Sequence, residues 1–364
     1  LVVVLPDAIG GRALDSAGLV LLAGSALFAA PLLIWWRFSE QIASSGGLYA
    51  FTEAAIGRRG AMVQGGLWVI SYVLYVSYTV TQVVYDLLPV PFPGVRAHQG
   101  AIEVLLPAAL VLVIVVAERA VLWAMAALAV AQVALVIALG VSMLGHIVPS
   151  GSFRVGQHPG AVGRGIANTS LLFLCGGLPL FLGGEVAGGG RSLRRVIATT
   201  IAGVGALLVV TGFPLAAYAD SSIAGLEMPG YVIALITSGH TLAVWVGAGA
   251  VASVLGLVVV EFLALTRLLH TVTGATIRRI GVIVGAVAIL ADVASVPDPD
   301  GVYDRMITPS LVALYLSQLL VFAGYGRYVH RRGRLRPLDL TVVLVSCALM
   351  VFGLEVAISQ QTLI

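Results

Sequence analysis

Glu261 is the side chain whose type and surroundings most suggest chemistry. It interrupts an apolar run, with Leu257, Val258, Ala264 and Leu265 one helical turn away on either side. A carboxylate there has no charged neighbour on its own helix, so any partner comes from another element or from a ligand. Two roles fit. It takes up a proton or a cation, or it pairs with a loop arginine near the end of its helix.

A second candidate is a stripe. Gln64, Trp68, Ser71, Tyr75, Tyr78, Gln82 and Tyr85 recur at spacings of three and four, which is one helical face. A weaker stripe holds Thr308, Tyr315, Gln318 and Tyr325. A third candidate is a break. The stretch 167–190 carries Gly176, Gly177 and Pro179 at mid-length, with Gly183 and Gly184 a turn later. Glycine and proline both disfavour a continuous helix. Close packing of helices through small residues is the competing account. The glycine-rich stretch 188–195 is not a phosphate loop, because the chain has no lysine and no strand precedes it.

The elements that must position these residues are membrane spans. The 364 residues are 59% hydrophobic and 10% charged, against about 25% charged in soluble domains. Runs of about 20 apolar residues are expected at about 17–37, 62–88, 101–117, 120–147, 167–186, 195–218, 241–266, 280–296, 307–326 and 339–358, after a partial segment at about 1–11. This predicts one transmembrane domain over 1–364, with about eleven helices and the first truncated. Polar side chains in such spans turn to the bundle interior or a water-filled cavity, and charges there are functional candidates. Asp292 and Glu355 have no role legible in the sequence.

All basic residues but the histidines are arginine. Alternate loops hold fifteen of the twenty, leaving Arg12, Arg96, Arg154, Arg164 and Arg305 on the other side. That asymmetry predicts a cytoplasmic-membrane protein with the arginine-rich loops inside, and places the expected missing N-terminus in the cytoplasm. Glu185 is expected to cap the inner end of the broken helix and meet Arg191–Arg195. Cys175 and Cys347 lie in apolar runs, as buried residues rather than a disulfide. The six histidines show no metal spacing. No cofactor and no nucleic-acid partner is expected.

The stretch 31–75 resembles the amino acid–polyamine–organocation (APC) permeases. Ser45, Gly46, Gly47 and Tyr49, followed by Gly65, Gly66 and Trp68, match the loop and helix start that follow that family's second helix, with Ala43 in place of its proline. Glu185, Val186, Arg191 and Ile197 match its Glu-Val-x-x-Pro-x-Arg-x-x-Pro-x-x-Ile, with Gly189 and Arg194 at the proline positions. The stretch 266–274 is similar to the end of its eighth helix, and the arginine-rich loop 327–337, ending in Arg336-Pro337, to the loop before its eleventh. The resemblance implies two inverted five-helix repeats of the leucine-transporter type, with helices one and six broken. It implies a secondary transporter of amino acids or amines, with the substrate held at Cys175, Gly176, Gly177 and Leu178 and by helix one, whose break would precede Leu1. Tyr75 and Tyr78 would admit apolar or aromatic groups.

Some proton-coupled members carry a lysine in helix five. Here the polar residue nearest that place is Gln132, which leaves sodium coupling, exchange, or coupling through Glu261. No acidic residue is expected near the helix-six break, which argues against cationic substrates such as arginine or polyamines. A ligand sensor on the same fold is the alternative function. An intramembrane enzyme would need converging acids, histidines or a nucleophile, and the sequence offers none.

Overall fold

The computed structural model describes residues 5–146, 153, 158–333 and 336–361. Among them all regular structure is helical. The expected break of helix one before Leu1, residues 1–4 of the partial segment, and the loop arginines Arg154 and Arg334 lie outside the described residues.

Among the described residues, eight helices are long and apolar enough to cross a membrane. One of these, Pro93–His146, has 54 residues, about 80 Å of helix against a hydrocarbon core of about 30 Å. The α-helix inside it, α5 (Gln99–Met143), contains a non-helical residue, Ala117. The neighbours of its two arms show that the chain turns back there. On the first arm, Val115 lies against Gly281 and Glu103 meets Ser295. On the second, Glu118 meets Arg267 and Gln132 donates to the Gly249 carbonyl at 2.6 Å. The arms are therefore two antiparallel spans. A further helix of 19 residues, α12 (Ile277–Ser295), is long enough at about 28 Å and carries Arg278, Arg279 and Asp292. Ten crossing segments result, at the places the apolar runs predict.

The remaining helices are α1 (Leu5–Ile9), α2 (Ala17–Gln41), α3 (Leu48–Ile56), α4 (Arg58–Gln82), α6 (Pro159–Leu171), α7 (Gly189–Leu207), α8 (Phe213–Tyr218), α9 (Ser221–Ala224), α10 (Pro229–Ser238), α11 (His240–Thr273), α13 (Pro299–Arg331) and α14 (Pro337–Gln361). The α4 helix continues as a π turn over Val83–Leu87. The α6 helix continues as a 3-10 helix over Leu172–Leu182. Asp220 caps α9 by accepting from the Ser222 and Ile223 amides; the Ser222 hydroxyl, which also donates to it, and then these amides hold its carboxyl below the usual range.

The short helices α3 and α10 fall in stretches the apolar runs leave as loops, and they reveal the internal symmetry. Each precedes a long span across a single glycine: Gly57 has φ 89° and ψ 173°, and Gly239 has φ 85° and ψ 178°. Both amides donate four residues back, to Glu53 and Leu235, and both carbonyls accept four residues on, from Ala61 and Ala243. A positive φ of this kind is readily open only to glycine. The α3 helix lies at the arginine-rich end. The α10 helix lies at the opposite end, where Gly247 of the following helix meets Pro91. One unit of short helix, glycine and long helix is thus used twice in opposite senses.

Ion pairs hold the arginine-rich ends together. Arg37 pairs with Asp339 and donates to the Tyr325 hydroxyl at 3.0 Å. Arg194 pairs with Glu40 at 2.6 Å and lies 4.4 Å over the Trp36 ring. The core between the ends is apolar with a few polar ties. Gln64 Nε2 donates to Ser317 Oγ at 2.9 Å, and Ser310 Oγ to the Ser71 carbonyl at 2.9 Å, which lock α4 to α13. Outward faces are apolar instead: Val116, Trp123 and Val130 are 70%, 74% and 72% exposed, a surface suited to lipid rather than water.

The Ser45–Gly47 turn docks on the end of the 3-10 helix. A Cβ at Gly47, where φ is +49°, would lie 2.7 Å from the Phe181 ring. Gly47→Ala therefore combines backbone strain with overpacking and should cost about 2–4 kcal/mol. A thermal melt of the purified variant checks this, and an unchanged midpoint would show that the turn yields freely.

Candidate functional site

Pro179 lacks the amide that would bond the Cys175 carbonyl in an α-helix, and Gly176 and Gly177 weaken the helix further. The expected break takes the form of tightening: eleven residues adopt the 3-10 form, from Leu172 to Leu182. Runs of that form longer than three or four residues are uncommon and mark hinges or strain. A Cβ at Gly177 would meet the Trp35 ring at 3.2 Å, and one at Gly176 would meet Ile201 at 3.3 Å. Those two glycines thus seat the 3-10 helix on α2 and α7. Leu178 is buried beside them, while Cys175 keeps accessible surface.

An aromatic ladder leads away from this segment along α4. Ring centroids are 4.3 Å apart for Phe181–Trp68, 4.1 Å for Trp68–Tyr72, 6.1 Å for Tyr72–Tyr75, 5.0 Å for Tyr75–Tyr78 and 5.5 Å for Tyr78–Tyr303. The predicted stripe divides. Gln64 and Ser71 serve the contact with α13, and Tyr72, outside the stripe, is a rung of the ladder. Its signal was the four-residue step from Trp68. Tyr75 lies deep in the bundle yet keeps accessible surface, so it borders a void.

Glu261 meets this ladder from α11. It is fully buried, and neither carboxylate oxygen has a hydrogen-bond partner among the described residues. Its electrostatic neighbours are Tyr72, Tyr75, Tyr78 and Cys175. The helix registers agree: Gly65 lies level with Leu268, and seven residues on, about 10 Å along each antiparallel helix, lie Tyr72 and Glu261.

Three expectations are corrected here. An acidic residue does lie near the helix-six break: Glu261, 86 residues away in the chain, is an electrostatic neighbour of Cys175, on a helix packed against the 3-10 segment. Among the described residues Glu261 pairs with no loop arginine: Arg267 directs its guanidinium to Glu118 and to Glu185, the latter at 2.9 Å. Glu185 accordingly meets Arg267 rather than the Arg191–Arg195 cluster. Gln132 stands apart: its partner Gly249 is twelve residues from Glu261, about 18 Å along α11.

At the end opposite the arginine clusters lies a cavity of about 310 Å³, lined by Thr81, Gln82, Tyr85, Asp86, Glu227, Pro299, Asp300, Tyr303 and Asp304. Four of these are carboxylates and none is basic. Tyr303 is also the last ring of the ladder, so a continuous row of tyrosines runs from this cavity to Glu261. At the other end, Arg267 is 2% exposed and ties the turn of α5 to the end of the 3-10 helix. One end is open and acidic, the other closed by a buried guanidinium.

No family model and no curated protein matches the chain. Solved structures do match, among them a substrate-bound outward-open state of a Na+-coupled sialic acid symporter. It aligns over 97% of this chain and 89% of its own, at 12% identity and a TM-score of 0.50. At that identity the likeness is one of architecture: this chain is an all-helical, multi-span bundle with the fold of that symporter.

Proposed function

We propose that the chain is a secondary active transporter of amino acids or related amines, of the APC permease kind suggested by the Ser45–Tyr49 motif, seated in the cytoplasmic membrane with its arginine-rich end inside. One observation carries this: a buried carboxylate without a partner, Glu261, sits against the 3-10 helix at the inner end of a tyrosine wall that begins in an open cavity. A lone buried carboxylate must be neutralised. A proton, a sodium ion or a substrate ammonium would do so. A broken helix beside such a group is the usual place for substrate and coupling ion in transporters of inverted repeats. The substrate lies between Tyr75, Tyr78 and the Cys175–Leu178 segment, with Glu261 as the coupling group. Gln132, remote from the void, would act on coupling only through the packing of α5 on α11.

The test is thermal stability of the full-length protein against the twenty amino acids and common amines, with and without sodium. A ligand at about 100 times its Kd stabilises by about 2.7 kcal/mol. Amino-bearing compounds are expected to shift the midpoint. In Tyr75→Ala the order of preference among them should change about tenfold, roughly 1.4 kcal/mol, with the unliganded midpoint retained. Absence of any shift would move the reading to a ligand sensor with another chemistry, and an unaltered preference order would remove Tyr75 from the site.

A further inference from the structure

A second group of buried oxygens lies between α4, the first arm of α5 and α12, away from the ladder. Glu103 is fully buried; its Oε1 accepts from Thr81 Oγ1 at 2.8 Å and from Ser295 Oγ, while its Oε2 has no hydrogen-bond partner among the described residues. Asp292, one turn before Ser295, is 1% exposed, and both its carboxylate oxygens lack partners as well. Glu103 and Asp292 act on each other electrostatically. Thr81 and Ser295 hydroxyls lie 3.5 Å apart. A hydroxyl that gives its only hydrogen to Glu103 Oε1 turns lone pairs outward.

Two uncompensated carboxylates in the interior of a membrane bundle are unfavourable unless something positive joins them. The available ligands are carboxylate and hydroxyl oxygens, which suit a hard cation. Glu103, Asp292, Thr81 and Ser295 carry six side-chain oxygens; Glu103 Oε1 already accepts from both hydroxyls, which leaves five, short of the six to eight that calcium takes. The group lies directly behind the cavity wall, because Thr81 and Tyr85 line the cavity and both hydrogen-bond Glu103. The carboxylates of Asp86, Glu227, Asp300 and Asp304 in that cavity raise the local concentration of cations.

We infer that Glu103, Asp292, Thr81 and Ser295 form a sodium-ion site, loaded through the acidic cavity and separate from Glu261. The site lies about 13 Å along α4 from Tyr72, nine residues on. One sodium ion leaves one negative charge, which a proton on the second carboxyl removes.

The experiment needs no substrate, so its outcome is independent of the transport reading. Thermal stability of the full chain is titrated with sodium chloride against choline chloride at fixed ionic strength, with potassium chloride and calcium chloride in parallel. Saturable stabilisation by sodium is expected in the wild type and in Glu261→Gln. Glu103→Gln and Asp292→Asn should weaken it about tenfold or more, without lowering the sodium-free midpoint. Ser295→Ala, which keeps both carboxylates, should weaken it too and serves if either variant fails to fold. An equal response to choline or potassium, a response to calcium alone, or a sodium response that survives these variants and vanishes only in Glu261→Gln would overturn the assignment.

Discussion

Glu261→Gln is expected to abolish concentrative uptake while substrate binding survives within a few-fold. The amide keeps the shape of the side chain but carries no charge for a proton or a cation to offset. The uptake rate should lose its dependence on pH and on the sodium gradient, and accumulation against a gradient should fall about tenfold or more, equivalent to at least 1.4 kcal/mol of lost driving force. Stability should be equal to or above wild type, because the substitution removes a buried charge that has no hydrogen bonds to lose. Uptake into proteoliposomes under imposed gradients, with a melt on the same sample, gives both readouts. Unchanged pH and sodium profiles would show that Glu261 is a packing residue.

Arg267→Met should open the arginine-rich end. This guanidinium is 2% exposed and joins the turn of α5 to the end of the 3-10 helix through Glu118 and Glu185. Breaking a buried ion pair costs about 3–5 kcal/mol. Here Glu118 and Glu185 are 36% and 44% exposed and recover water, so about 2–3 kcal/mol is expected. The distinguishing readout is the thiol of Cys175, which retains accessible surface inside the bundle. In a Cys347→Ser background, its reaction with a small polar thiol reagent from the arginine-rich side should quicken. Arg267→Lys should restore part of the stability, since lysine keeps the charge but not the forked donor. Equal melting and equal labelling in Arg267→Met would assign the closure elsewhere.

The spans were legible because each is fixed by its own apolar composition, and the alternation of arginines fixed their order of crossing. The break at Cys175–Pro179 and the isolation of Glu261 were legible for the same reason: both depend on residues within one turn. What the sequence hid depends on which helices touch. The approach of Glu261 to Cys175, the capture of Glu185 by Arg267, and the meeting of Glu103 with Ser295 join residues 86, 82 and 192 positions apart. Tyr72 was missed because Ser71 fits the same polar stripe and the two differ by only one step of rotation. The short helices α3 and α10 were missed because neither is long enough to read as a span, yet they are what exposes the internal symmetry.

Tyr85 stands twenty-eight residues beyond Gly57, and Arg267 stands twenty-eight beyond Gly239, so the two hold matching places in the paired units. Tyr85 borders water in the open mouth, and Arg267 is sealed at the closed one. If the two halves traded shapes, Tyr85 would be shut away and Arg267 would line the newly opened mouth. The two mouths would then differ in sign, one ringed by carboxylates and the other by a guanidinium. Two units alike in backbone would thus present unlike openings to a cation.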